Sequence, residues 1–252
     1  MLILAFDTSG LHGSVAILDG PKLLAERLLP TDRRSAQTLA PAIVELLAAL
    51  QISARQIRLV ATTIGPGSFT GLRVGITAAK TFAYAISAEV LGLSTLEVIA
   101  HGIQSDQPGA NLLPEKFDSS STRPETFPQE IHAILDAQRK ELFLARFTIQ
   151  ANSTNNNNDI LPLARLADDT IISADDWLAS LQPGTIVAGA GLDRLQSRLP
   201  NEIIVDPASR QPRAAILGQL AHRDYQAGRR DDLWKLAPLY LRPSYAEEKA
   251  KK

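Results

Sequence analysis

Apolar residues near the start of the chain fall in three short blocks, LILAF at 2–6, GSVAILD at 13–19 and KLLAERLL at 22–29, separated by Ser9-Gly10 and Gly20-Pro21. Blocks of this length, bounded by turn-forming residues, predict three strands in an antiparallel meander. From Ser35 to Leu50 the period becomes helical, with Leu39, Ile43, Leu46, Leu47 and Leu50 sharing one face. IRLVATTI at 57–64 then predicts a buried strand, Thr70 to Ile86 a second helix, and EVLGL at 89–93 a further strand. This order describes a sheet that begins antiparallel and turns parallel through right-handed crossovers.

The periodicity lapses between Gln104 and Glu130, where Ser119-Ser120-Ser121 and prolines 108, 114, 124 and 128 replace it; that stretch is expected to be a linker or mobile insertion. A second unit opens with IHAILDA at 131–137 and ELFLARFTI at 141–149, followed by a Gln/Asn tract from Gln150 to Asn158 of low-complexity type. A helix around Asp175–Leu181, strands at 185–191 and 203–205, and a helix from Pro212 to about Gly228 follow. The division predicted is an N-terminal lobe at 1–103, the segment 104–130, and a C-terminal lobe at 131–252, whose last helix and tail are free to pack back on the first lobe. Leu239-Tyr240-Leu241 between Pro238 and Pro243 predicts an extended segment, and Glu247 to Lys252 a solvated end.

Composition narrows the chemistry. The 252 residues carry a formal net charge of -1, so any RNA contact must be local or delegated to a partner. The absence of cysteine excludes disulfides, thiolate nucleophiles and Cys-based metal sites, and suits a reducing compartment. MLILAF is broken by Asp7 with no basic run ahead of it, and no apolar run approaches the ~18 residues of a membrane span, so a cytoplasmic chain is expected.

Two segments have the residue types of an anion site. Asp7-Thr8-Ser9-Gly10 ends the first strand with short polar side chains on a tight turn, as a phosphate corner requires; an Asx or Ser/Thr turn uses the same residues. In IGPGSFTGLRVGI at 64–76, Gly65, Gly67 and Gly71 permit close backbone approach, Pro66 stiffens the loop, and Ser68 and Thr70 can cap the helix that follows. The spacing is neither a P-loop, since no Gly-Lys-Ser/Thr closes it, nor a dinucleotide fingerprint. Ser68 lies on a strand-to-helix loop but lacks the G-x-S-x-G frame of a hydrolase. His12, His101, His132 and His222 never fall three or four apart, so no helix face offers a paired-imidazole metal site. Asp136, Arg139 and Glu141 form either a polar cluster or a solvated hairpin turn, and Arg229 and Arg230 either touch phosphates or close a helix end.

The string GPGSFTGLRVG is specific, and with ILAFDTS at 3–9, GLSTLEVIA at 92–100, DAQRKELF at 136–143 and APLYLR at 237–242 the chain resembles the TsaB (YeaZ) family. The resemblance implies an α/β chain of two RNase H-like lobes in the actin-like (ASKHA) fold. It also implies a partner, TsaD, that transfers the threonylcarbamoyl group from its adenylate to the adenosine beside the tRNA anticodon. Members of the family are read as non-catalytic relatives of TsaD, homodimeric when alone, dimerising with TsaD and supporting an ATPase, TsaE; TsaD-like relatives carry a His-x-x-x-His metal site. On this reading no cofactor or metal is expected, tRNA is met only through the complex, and Asp7, Thr8, Ser9, Gly65, Gly67, Ser68 and Thr70 form a vestigial nucleotide-like corner. The alternatives are a self-contained ASKHA ATPase or kinase and a peptidase.

A partner surface is expected on the two helices of the first lobe. Leu72, Ile76, Ala79, Ala83 and Ile86 form one stripe of the second helix, able to cover the lobe's own sheet. Gly71, Gly75, Ala78 and Phe82 form a neighbouring stripe which, with Leu39, Ile43 and Leu46 of the first helix, is left to meet a second protein.

Overall fold

A computed structural model describes residues 1–103, 130–149, 163–206 and 210–242. The segment expected at 104–130, apart from Glu130, the Gln/Asn tract and the charged end at 247–252 lie outside the described residues.

The N-terminal half opens with β1 (Leu2–Asp7), β2 (Ser14–Asp19) and β3 (Lys22–Leu28), followed by α1 (Ser35–Ala49), β4 (Ile57–Gly65), α2 (Phe69–Ile86), β5 (Glu89–Ser94) and α3 (Thr95–Gly102). Its sheet runs β3-β2-β1-β4-β5, with β1–β2 and β2–β3 antiparallel and β1–β4 and β4–β5 parallel. The second half contributes β6 (Glu130–Asp136), β7 (Glu141–Ile149), β8 (Leu163–Arg165), β9 (Thr170–Ser173), α4 (Ala174–Ser180), β10 (Ile186–Ala188), β11 (Ile204–Val205) and α5 (Ala214–Gln226). Here the order is β11-β10-β6-β7-β8, with β9 also on β7, and β6–β7 is antiparallel while β6–β10 and β10–β11 are parallel. The same plan is written twice: a central strand, an antiparallel hairpin partner on one side, and two parallel strands on the other. These are the two RNase H-like lobes of an actin-like fold.

Alternating burial explains the layers. Leu4, Phe6, Val15 and Ile17 face α1 and α2, while Ile3, Ala5, Ala16 and Leu18 on the opposite face pack against Ala214, Leu217, Leu220 and Ala221 of α5. In the second lobe, Ile131, Ala133, Ala145 and Phe147 face Leu96, Ile99 and Ala100 of α3, and Ile134, Leu142 and Leu144 face Trp177 of α4. The packing therefore does not follow a division of the chain at residue 103. Helix α3 of the N-terminal half covers the second sheet, and α5 of the C-terminal half covers the first.

Three further details depart from the sequence expectations. Helix α2 begins at Phe69 with Ser68 as its N-cap, leaving Thr70 inside the first turn. The strand expected at 185–191 stops at Ala188, because Gly189 takes a φ of 109° and the chain enters a 3-10 turn. Helix α3 and the short strands β8 and β9 were not anticipated.

Candidate functional site

Asp7 closes the central strand of the first sheet and is fully buried. Its Oδ1 accepts hydrogen bonds from the Ser9 backbone N–H at 3.1 Å and from Thr63 Oγ1 at 2.6 Å, while Oδ2 is buried without a partner. Burial outweighs these bonds and raises the carboxyl above its ordinary pKa. The glycine loop closes over the same corner. Thr8 Oγ1 donates to the Gly71 carbonyl at 2.8 Å, and the Ser68 N–H donates to the Ser9 carbonyl at 2.6 Å. A side chain at Gly71 would overlap the Thr8 carbonyl, and one at Gly67 would lie 2.6 Å from the Ser9 carbonyl. The loop glycines thus make room for the chain's own backbone. The Ser68 hydroxyl accepts from the Gly71 N–H at 3.2 Å, so two of the donors at this helix start are turned inward.

The outer side of the loop is covered as well. Gly65, at φ 124°, approaches so closely that a Cβ there would lie 2.7 Å from the Leu239 carbonyl, and the Leu239 N–H donates to the Ile64 carbonyl at 2.7 Å. The extended segment around Leu239 continues to Arg242, which donates to the Ala137 carbonyl at 2.8 Å and pairs with Glu141 of the second lobe. The corresponding corner of that lobe is Asp136, whose Oδ1 accepts from the Gln138 N–H at 2.7 Å, repeating the Asp7–Ser9 turn. Gln138, Arg139 and Lys140 all adopt positive φ, at 61°, 53° and 63°, which folds the hairpin tightly. Asp136 is exposed and pairs with Arg194 at 2.9 Å.

Comparison with known proteins gives this arrangement a family. A family model described as "TsaD: tRNA N6-adenosine threonylcarbamoyltransferase" matches residues 24–171, more than half of the chain. The "tRNA threonylcarbamoyladenosine biosynthesis protein TsaB" of Bacillus subtilis is 32% identical over 100 residues, 40% of this chain and 44% of that protein. The chain belongs to this family, in its TsaB (YeaZ) branch. The TsaB of Haemophilus influenzae is 23% identical over 244 residues, 96% of this chain and 94% of that one. The matched stretch spans less than half the length of the first curated relatives. The solved structure of YeaZ from Pseudomonas aeruginosa superposes with a TM-score of 0.73 at 23% identity, covering 95% of this chain and 99% of that one, a likeness of fold.

Within this TsaB-type chain the two most buried histidines serve packing. His132 Nδ1 accepts from Trp177 Nε1 at 3.2 Å and its Nε2 meets Glu130 at 3.0 Å. His101 Nδ1 donates to the Glu97 carbonyl at 3.0 Å, and Arg223 lies 3.3 Å from Nε2. Burial lowers both pKa values, so both rings are neutral. Among the described residues no group of three or more His, Cys, Asp or Glu side chains could hold a metal ion. Arg229 binds Asp224, Asp231 and the Gly92 carbonyl, and Arg230 lies over the Tyr225 ring, so both close the end of α5.

The expected partner stripe needs correction. Leu39, Ile43 and Leu46 are buried in the lobe's own core, and Gly75 faces Thr8 and Thr62, where a Cβ would lie 2.5 Å from Thr8 Oγ1. Gly71 is occupied by the Thr8 contact, and Ala78 and Phe82 are half-buried at the edge. The outward face consists instead of Ala40, Val44 and Ala48 on α1 and Thr77, Thr81 and Ala85 on α2. Sequence periodicity identified the helices but assigned their inner face to the partner. No helix is long and apolar enough to cross a membrane among the described residues.

Proposed function

We propose that the chain is a non-catalytic subunit that dimerises with a TsaD-like transferase and supports formation of threonylcarbamoyladenosine at the adenosine beside the tRNA anticodon. The observation that carries this reading is the filled glycine loop. The Thr8 and Ser9 backbone packs directly against Gly71 and Gly67 of the loop, and the Ser68 and Gly71 N–H groups are spent inside the protein. The family membership supplies the reaction, and the buried, fully engaged imidazoles of His101 and His132 agree with a chain that leaves metal chemistry to its partner.

The docking face is the outer surface of α1 and α2. Val44 is 65% exposed amid Ala40, Ala48, Thr77, Thr81 and Ala85, and the neighbouring Glu45 is paired with Arg27. Small uncharged residues let helices approach closely and lose little solvation on burial. A homodimer through the same face in the absence of the partner, and a TsaE-like ATPase joining the pair in the cytoplasm, complete the reading. Val44→Arg should fold normally and lose capture of a co-expressed TsaD-like protein; a folded Val44→Arg that still captures it would place the interface elsewhere.

A self-contained ATPase is the second reading, and Asp7 Oδ2, buried without a partner, is the observation in its favour. It requires phosphate release from ATP by the pure chain that Asp7→Asn abolishes. The peptidase alternative has less support, because the Ser68 hydroxyl caps α2.

A further inference from the structure

Helix α2 has a second exposed flank, edged by the segment 232–242, which makes a turn at 233–235 before it extends. Along it lie Phe69, Arg73, Lys80 and Tyr84, a helical stripe in which aromatic ends enclose two cations. The segment adds two more rings. Tyr240 stacks on Phe69 with centroids 5.4 Å apart and an interplanar angle of 27°, and Trp234 meets Tyr84 edge-on at 5.6 Å. All four rings are exposed, Trp234 at 72% and Tyr84 at 66%. Arg73 sits 3.7 Å above the Phe69 ring and donates to Tyr240 Oη at 3.0 Å; Lys80 donates to the Trp234 and Leu236 carbonyls at 3.0 and 3.2 Å.

Neither cation has a carboxylate partner among the described residues. The acid at the Trp234 end, Asp232, caps the Trp234 N–H at 2.8 Å and lies 3.8 Å from Lys235. Exposed rings usually represent lost burial, yet here the segment that carries two of them is held in place by the Leu239 N–H on the Ile64 carbonyl and by the Lys80 ammonium on the Trp234 and Leu236 carbonyls, so little ordering remains to be done when a ligand arrives. A row of flat apolar faces with unneutralised cations between them is complementary to a strand that carries flat bases on an anionic backbone. At a rise of about 1.5 Å per residue the stripe is roughly 22 Å long, enough for a few nucleotides.

We infer that this flank is a stacking platform for single-stranded RNA, which the chain contacts directly, in contrast to the expectation that tRNA is met only through the complex. Only the choice of RNA rests on the proposed tRNA-modifying role; the platform itself rests on the rings and cations. A net charge of -1 makes the contact local and salt-sensitive rather than a general attraction.

Trp234 is exposed and Trp177 is fully buried, so base stacking should quench the emission of one tryptophan and leave the other as an internal baseline. The test titrates the full chain with a short fluorescent oligouridylate and reads anisotropy and tryptophan emission at low and moderate salt. The expected result is saturable, salt-sensitive binding with quenching, weaker by about ten-fold or more in Phe69→Ala/Tyr84→Ala and unchanged in Leu166→Ala. Absence of binding, or binding that Phe69→Ala/Tyr84→Ala leaves unchanged, would overturn the inference. So would Trp234 emission that follows chain concentration and ignores RNA, which would mean that a second copy covers the flank. The subunit role is read separately from capture of the TsaD-like partner, so the platform and that role can fail independently.

Discussion

Asp7 is the residue whose chemistry is most at odds with its surroundings. Its carboxyl is held by Thr63 and Ser9 on one oxygen and by nothing on the other, and burial pushes its pKa up. A carboxyl whose folded-state pKa is raised disfavours folding when ionised, and stability is regained as the pH falls through that value towards the ordinary 3.8. Asp7→Asn keeps an acceptor for both bonds and removes the charge, so its melting temperature at neutral pH should be higher by a few degrees. A lower melting temperature would show that the carboxylate is satisfied. Gly71 tests the corner from the other side. Gly71→Ala places a methyl group on the Thr8 carbonyl and should cost about 1–3 kcal/mol in urea unfolding, whereas Gly10→Ala, whose Cβ would meet Gln211 Oε1 at an ordinary 3.4 Å, should cost little. Equal costs would contradict the account of the loop as clasped. The glycines were legible in the sequence as sites of close approach; that they approach the chain itself and not a ligand was not, because spacing does not say what stands opposite.

Among the elements, helices with one wet and one dry face and short apolar strands bounded by turn residues were readable. The strands of the meander, β4 and helices α1 and α2 lie within a residue or two of the expected places: the helices show the apolar period of one-sided burial, and the strands are marked by short apolar runs between turn residues. Helix α3 escaped because seven of its eight residues are buried, which leaves no polar face to reveal a period. The strand expected at 185–191 is shorter in the structure because an apolar, glycine-containing run looks the same whether it extends or turns, and Gly189 turns it. Burial inside β6 also gives the second lobe a pH response. His132 is held neutral between Trp177 and Glu130, with its pKa below the ordinary 6.5, so acidification through that value protonates the unfolded chain more readily than the folded one. Thermal stability should fall as the pH drops below 6.5, and fall less steeply in His132→Asn; the same slope in both would assign the effect elsewhere.

At the scale of the whole molecule, the lobes are built from exchanged helices and are tied where these meet. Arg223 of α5 donates to Glu97 of α3 at 2.9 Å, Glu97 also meets Arg165 of β8 at 3.4 Å, Arg165 pairs with Asp169, and Asp169 accepts from Ser94 at 2.8 Å. On another side Arg242 ties the segment after α5 to the β6–β7 turn. The sequence allowed for α5 on the first sheet, as a last helix free to pack back, but gave no sign that α3 covers the second, since that lobe's core is completed from the far half of the sequence. A fold joined in this way, with its glycine loop filled, suits a subunit that presents a surface, and the proposed role is that of a chain needed by a transferase without being one. The direct measurement is threonylcarbamoyl incorporation into tRNA in a reconstituted system containing a TsaD-like protein, a TsaE-like ATPase and the threonylcarbamoyl adenylate donor. No incorporation is expected with the chain alone, incorporation when it is combined with the TsaD-like protein, and loss when the chain is omitted or replaced by folded Val44→Arg. Incorporation by the chain alone, or undiminished incorporation in its absence, would contradict it.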